Sequence, residues 1–261
     1  MNQDRTPFRI EYQPIITMET GQLDGFEALV RWIHPEQGLI SPSEFIPLAE
    51  DTDLILELGE WVLKNACRQV QQWRQNRPYQ ALNIAVNISG RQLLKPDFAC
   101  EVSEILQDLG LNPSSLTLEI TESIALESFQ ETVGALNQLR ANGIQIAIDD
   151  FGTGYSCLSR LHSFGASSLK IDRAFISQMG DTGERSEIVE AIIAVAHSLK
   201  MRVVAEGIET VGQLDRLRAL DCDWGQGYYF SRSLPSSAVD ELLKKAPNWI
   251  ESADRLAPRL N

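Results

Sequence analysis

The chain has 261 residues, 43% of them hydrophobic, which suits one large domain with a sizeable core. Its 36 acidic residues outnumber 23 Lys and Arg, and a formal net charge of −13 excludes sequence-independent binding to duplex DNA or RNA through a basic footprint. The four scattered cysteines form no CxxC and the three histidines stand alone, which excludes zinc spacing and favours a reducing, cytoplasmic setting over a disulfide scaffold.

Strand signals recur at 8–17, 23–33, 82–89, 116–122, 144–150, 168–176, 202–209 and 223–230. Only the short METGQ stretch separates the first two. That leaves no room for a crossover helix, so they form an antiparallel hairpin. Over 54–74, Leu54, Leu58, Trp61, Val62, Ala66, Val70 and Trp73 recur at helical spacing and read as core packing. Further helical patterns cover 97–109, 127–141, 155–162, 184–199, 211–220 and 236–245, with Gly110, Gly143 and Gly165 at expected helix stops. The strand-plus-helix spacing of ~30 residues predicts a parallel sheet. Eight strands predict a modified TIM (β/α)8 barrel whose first strand runs antiparallel to the rest. No linker or low-complexity segment divides the chain, so residues 1–261 read as a single domain. No apolar run approaches the ~18 residues of a membrane span, and the charged N-terminus lacks the apolar segment of a signal peptide.

Seven of these segments each carry a polar residue where a buried strand should be apolar: Glu27, Asn87, Glu119, Asp149, Lys170, Glu206 and Gln226. Strand side chains alternate between faces. In 82–89 the aliphatic face is Leu82, Ile84, Val86 and Ile88; the other is Asn83, Ala85, Asn87 and Ser89. The strands at 116–122 and 144–150 divide the same way, with Glu119 and Asp149 on the small, polar face. Aliphatic faces suit a cover of helices, and the polar faces suit a barrel interior whose active site lies at the strands' C-terminal ends. One acid near a strand end is commonly a cap or a solvated charge. A whole set converging on one mouth predicts a site. Several carboxylates do not stay ionised together without cations. Oxygen donors favour Mg²⁺ or Mn²⁺ over zinc, and adjacent Asp149 and Asp150 invite a second ion. Lys170 is suited to orient a water or phosphate oxygen, and Arg31 to clamp phosphate. On these residues alone, a metal-dependent barrel lyase or isomerase remains an alternative.

The motifs YQPI (12–15), EALVRW (27–32), VNIS (86–89), LEITE (118–122), DDFGTGYS (149–156), LKIDR (169–173), AEGIET (205–210) and QGYYFSRSLP (226–235) together carry a resemblance. The chain resembles the EAL-domain phosphodiesterases of bacterial cyclic di-GMP signalling almost end to end. The resemblance implies the barrel with one reversed strand, and hydrolysis of cyclic di-GMP to linear pGpG with two Mg²⁺ or Mn²⁺. It implies that Glu27, Asn87, Glu119 and Asp149 ligate one ion, with Asp149 bridging to a second held also by Asp150. Lys170 and Glu206 would position and deprotonate the attacking water, with Gln226, beside the substrate, holding that water network or the second ion's hydration. Gln13, Val30 and Arg31 would contact substrate. Glu122 would fix the DDFGTGYS loop, and Glu209 would lie near the substrate. The family further implies a homodimer and upstream sensor or cyclase domains. Neither DNA nor a membrane is an expected partner. Cys157 stands where the family often has a serine, and SRSLP (231–235) replaces a commoner SRPLP-like ending. A catalytically silent cyclic di-GMP receptor is the competing function. It is disfavoured because every catalytic position is filled.

Overall fold

The hairpin is the seam of the molecule. Strand β1 (Phe8–Thr17) pairs antiparallel with β2 (Leu23–His34) along nearly its whole length, from Phe8↔Trp32 to Ile16↔Leu23. The structure is a computed structural model that describes residues 7–75, 81–126, 129–152, 158–179, 186–245 and 249. After β2 come a short strand β3 (Gly38–Ile40) and the helices α1 (Pro42–Glu50) and α2 (Leu54–Arg74). Strand–helix units then follow: β4 (Asn83–Asn87), α3 (Gly90–Leu93) and α4 (Phe98–Leu109); β5 (Leu116–Thr121), α5 (Glu122–Leu126) and α6 (Phe129–Ala141). Next are β6 (Gln145–Phe151) and α7 (Leu158–Phe164), β7 (Ser168–Ile171), α8 (Arg173–Ser177) and α9 (Glu187–Ser198), and β8 (Arg202–Ala205) with α10 (Val211–Ala219). The described chain closes with β9 (Trp224–Gly225), β10 (Leu234–Pro235) and α11 (Ser236–Lys245).

Strands β2, β4, β5, β6, β7, β8 and β9 pair parallel in that order, and β1 closes the ring by pairing antiparallel with both β9 and β2. This is the eight-stranded α/β barrel with a reversed first strand expected from the METGQ turn. Outward aliphatic residues such as Ile84, Val86, Leu118, Ile148, Leu169 and Val203 are buried beneath the helices. Full burial of each such side chain stabilises by about 1.5–3 kcal/mol. Trp73 of α2 is 2% exposed, stacks edge-on against Tyr12 of β1, and donates from Nε1 to Asp240 of α11 at 2.8 Å. Trp73 therefore packs the seam, and Trp61 is buried in the same core, as their spacing predicts.

The inner face differs from the bulky layers that fill most such barrels. Ala85, Thr117, Ala147, Ser168 and Val204 leave a cavity of about 260 Å³ that runs from the N-terminal strand ends up to Glu119. Small residues below the mouth leave room for long polar side chains above.

Three expected strands end early. The pattern at 168–176 stops at Ile171 because Asp172 accepts from the Ala174 N–H at 2.8 Å and caps α8. The one at 202–209 stops at Ala205, and that at 223–230 is reduced to Trp224–Gly225. Glu206 and Gln226 accordingly sit one residue beyond their strands. Glu122 begins α5 rather than ending β5. Strands β3 and β10 and helices α1, α3, α5 and α8 depart from the expected elements. Residues 127–128, 155–157 and 184–185 of the expected helices lie outside the described residues.

Candidate active site

Lys170 occupies the centre of the mouth and is 1% exposed. Its Nζ lies 2.7 Å from Glu206, 2.8 Å from Glu119, 3.0 Å from Asp149 and 3.4 Å from Glu27. These carboxylates come from β2, β5, β6 and the end of β8, so strand register sets their convergence. Glu119 is level with Asn87 on one side and Ala147 on the other, and Glu27 is level with Gln13. Gln226 follows β9. Its backbone N–H donates to Ala205 and its carbonyl accepts from Ile208, while a Cβ on Gly227 would meet Ile208 backbone at 2.2 Å. Only glycine allows that approach, which pins Gln226 above the cluster. Its Nε2 donates to Glu27 at 2.7 Å and to Glu206 at 2.9 Å.

Asp149 and Asp150 are neighbours in a strand and would normally face opposite ways. Pairing between β6 and β7 slips between Ile148 and Phe151, and Asp150 adopts a left-handed backbone with φ 53°. Aspartate tolerates that region through local polar contacts, here an N–H donating to Asp149 Oδ1 at 2.8 Å. The turn brings ligand atoms of Asp149, Asp150 and Glu206 within 4.8 Å of one another, beside a second such group of Glu27, Glu119 and Asp149.

The electrostatics follow from one ammonium among several acids. Burial opposes charging Lys170, yet Glu119, Glu206, Glu27 and Asp149 hold its pKa well above the usual amine value. Burial pushes the Glu206 carboxyl up to about 8 despite Lys170. Burial and then Glu27 drive Glu119 well above the carboxylate range. Burial acts the same way on Glu27, but Lys170 and hydrogen bonds from Gln226 and Asn87 bring it below that range. Burial followed by Asp149 raises Asp150.

The residues fit divalent cations. Every acidic donor is a hard oxygen, and the two groups share Asp149. The exposed Asn87 directs its amide nitrogen to Glu27 at 2.8 Å, which leaves the amide oxygen uncommitted among the described residues. The buried Gln226 Oε1 has no hydrogen-bond partner among the described residues. A buried acceptor without a donor is costly, and a water bound beside a cation would satisfy it.

Beside this cluster, a cavity of about 440 Å³ is lined by Val30, Arg31, Asn87, Ser89 and Asp150 and walled by Ile46, Pro47, Leu58 and Val62. Arg31 is held by Glu11 and Ser233. Gln13 donates to the Ser231 carbonyl at 3.4 Å. Glu122 is buried and accepts from the Gly152 N–H at 3.0 Å, so it anchors the start of the DDFGTGYS loop. The rest of that loop, 153–157, lies outside the described residues. Glu209 is exposed on the 206–210 connection and stands apart from the carboxylate cluster. Sequence reading passed over Glu11, although alternation places it on the face of Gln13. It noted Ser233 only as a departure.

The EAL domain profile matches residues 2–233. The chain belongs to the EAL domain family. The three residues spelling EAL are Glu27, Ala28 and Leu29 of β2. Over 236 residues it is 43% identical to the Pseudomonas aeruginosa bifunctional diguanylate cyclase/cyclic di-GMP phosphodiesterase MucR, covering 90% of this chain and 34% of MucR. It is 42% identical over 235 residues to the cyclic di-GMP phosphodiesterase NbdA of the same organism, covering 90% of this chain and 30% of NbdA. The chain thus spans about a third of these relatives. A solved complex of the PaMucR phosphodiesterase with c-di-GMP aligns with a TM-score of 0.85 at 42% identity, covering 90% of this EAL chain and 95% of that one.

Proposed function

We propose that this EAL domain hydrolyses cyclic di-GMP to linear pGpG with two Mg²⁺ or Mn²⁺ ions bound. The observation that carries the reading is the pair of all-oxygen groups sharing Asp149 around a buried Lys170. Similarity to MucR and NbdA supports the substrate. Glu27, Asn87, Glu119 and Asp149 would hold one ion, and Asp149 and Asp150 the other. Such ions supply Lewis-acid stabilisation of the phosphoryl oxygens and a more acidic water.

The chain's own groups do the rest. Lys170 remains an ammonium under its carboxylate neighbours, so it orients the attacking water by donating. Glu206, 2.7 Å from Lys170 and a member of the second acidic group, is the group that accepts that water's proton. Gln226 Oε1 is the acceptor available to the water's other hydrogen. Arg31, the Val30 backbone and Gln13 line the approach for the phosphate and sugar. Glu209 lies on the loop that follows Glu206 and would approach substrate from the rim. Attack on phosphorus expels the ribose 3′ oxygen, and fixed charges stabilise the transition state.

The threefold greater length of the relatives, one of them named bifunctional, supports further sensor or cyclase domains in the whole protein. Residues 1–261 are read as one domain that works as a homodimer in the cytoplasm. No described helix is long and apolar enough to cross a membrane.

The test is purified chain with cyclic di-GMP and Mg²⁺ or Mn²⁺, with pGpG followed by chromatography. Wild type is expected to form pGpG. Glu27→Ala is expected to lose at least about a thousandfold in rate with its circular dichroism unchanged. Cyclic di-GMP binding without product would replace the enzyme reading with a receptor.

A further inference from the structure

Arg31 does not stand alone at the mouth. Its Nε donates to Glu11 Oε2 at 2.9 Å, its Nη2 to Ser233 Oγ at 2.9 Å, and its Nη1 to the Val30 carbonyl at 3.1 Å. The Ser233 hydroxyl donates in turn to the same Glu11 oxygen at 2.6 Å, which closes a ring of three side chains. The Arg31 side chain is only 18% exposed and that of Glu11 33%, so water competes weakly for the Arg31 side of this ring. A guanidinium has five N–H donors in a rigid plane. Three are committed here, which leaves two, and Arg31 lines the cavity beside Asn87 and Asp150.

Three distant segments build the ring. Glu11 lies on β1, Arg31 on β2, and Ser233 immediately before β10. Pairing of Glu11 with Pro235 and Tyr12 with Leu234 lays the 231–235 segment along β1. The same segment receives Gln13 through the Ser231 carbonyl. It follows Gln226 and Gly227, the residues pinned over the carboxylate cluster, by four positions. A proline at 233 would have no hydroxyl to give, so this ring depends on the serine of this chain.

We propose that Glu11 and Ser233 are positioning residues that aim Arg31 at the anionic phosphate or the guanine edge of the substrate. They act by locking the guanidinium plane and neither touches the substrate. The proposal rests on the cyclic di-GMP reading. An arginine that must first be ordered contributes less binding, because side-chain immobilisation opposes association. The same arginine grips substrate before and during reaction, so losing its alignment weakens uniform binding and raises KM with little change in kcat.

Hydrolysis kinetics on the chain with Mg²⁺ test this, using Ser233→Ala, Ser233→Thr, Glu11→Gln and Arg31→Ala. Ser233→Ala and Glu11→Gln are each expected to raise KM about tenfold with kcat within about twofold. Ser233→Thr keeps the hydroxyl and is expected to restore KM. In an Arg31→Ala background, Ser233→Ala is expected to add nothing, because it acts only through Arg31. Glu11→Gln is the sharper case. It removes a negative charge near an anionic ligand, so a purely electrostatic role would lower KM. A lowered or unchanged KM, a loss confined to kcat, or full additivity with Arg31→Ala overturns the positioning role while leaving the phosphodiesterase intact. Absence of both binding and hydrolysis in wild type overturns both.

Discussion

Lys170 sets the charge balance of the site. A buried ammonium 2.7–3.4 Å from four carboxylates would be prohibitively costly without them, and they without it. Lys170→Met is therefore expected to destabilise the chain by about 3–5 kcal/mol in chelator, read from thermal or urea unfolding. Added Mg²⁺ should recover part of that loss, since a ligand that binds only the folded state stabilises it by mass action. A variant that melts like wild type in chelator would show that the acids need no counter-charge from Lys170. At this scale the sequence was legible for residue type and face. Glu27, Asn87, Glu119, Asp149 and Lys170 were readable because strand alternation is local. Glu11 and Ser233 were not, because their importance lies in contacts with Arg31 across 20 and 202 positions.

Elements are decided by how strands end. Apolar residues resume beyond Asp172, Glu206 and Gln226, so hydrophobicity alone lengthens these strands. The Asp172 cap and the pinned Gln226 end them where a turn can present a side chain to the mouth. Strand β6 shows the most consequential ending. Its slip in register and the left-handed Asp150 turn two neighbouring acids to one side. That ending is tied to α5 by the Glu122–Gly152 hydrogen bond. A Cβ on Gly152 would meet Phe175 of α8 at 2.8 Å, and its φ is 95°, so the backbone has little alternative there. Glu122→Ala would free the turn and leave the Gly152 N–H to water. Half-maximal activation is then expected at a Mg²⁺ concentration about tenfold higher, with the barrel still folded. An unchanged Mg²⁺ dependence would remove Glu122 from the metal-site architecture.

At the scale of the molecule, barrel closure creates an acid-rich interior whose protonation and cation loading are one equilibrium. Glu206 has its pKa at about 8 and Glu119 is also raised, so at pH 7 the cluster carries protons that a cation must displace. Cation binding should release protons at pH 7, and affinity should rise with pH through about 8. Titration calorimetry of Mg²⁺ in two buffers of different ionisation enthalpy measures this directly. Equal apparent enthalpies in both buffers would contradict it. What the sequence by itself determined was the hairpin, the order of strands and helices, the inward faces, and the family its motifs spell. Those follow from short-range rules of turn length, periodicity and residue type. Tertiary structure alone decided which acids surround Lys170, that Asp150 turns to join Asp149, and that Glu11 and Ser233 hold Arg31. Charge interactions and hydrogen bonds act over a few ångströms, and the distances between residues far apart in the chain exist only once the barrel has closed.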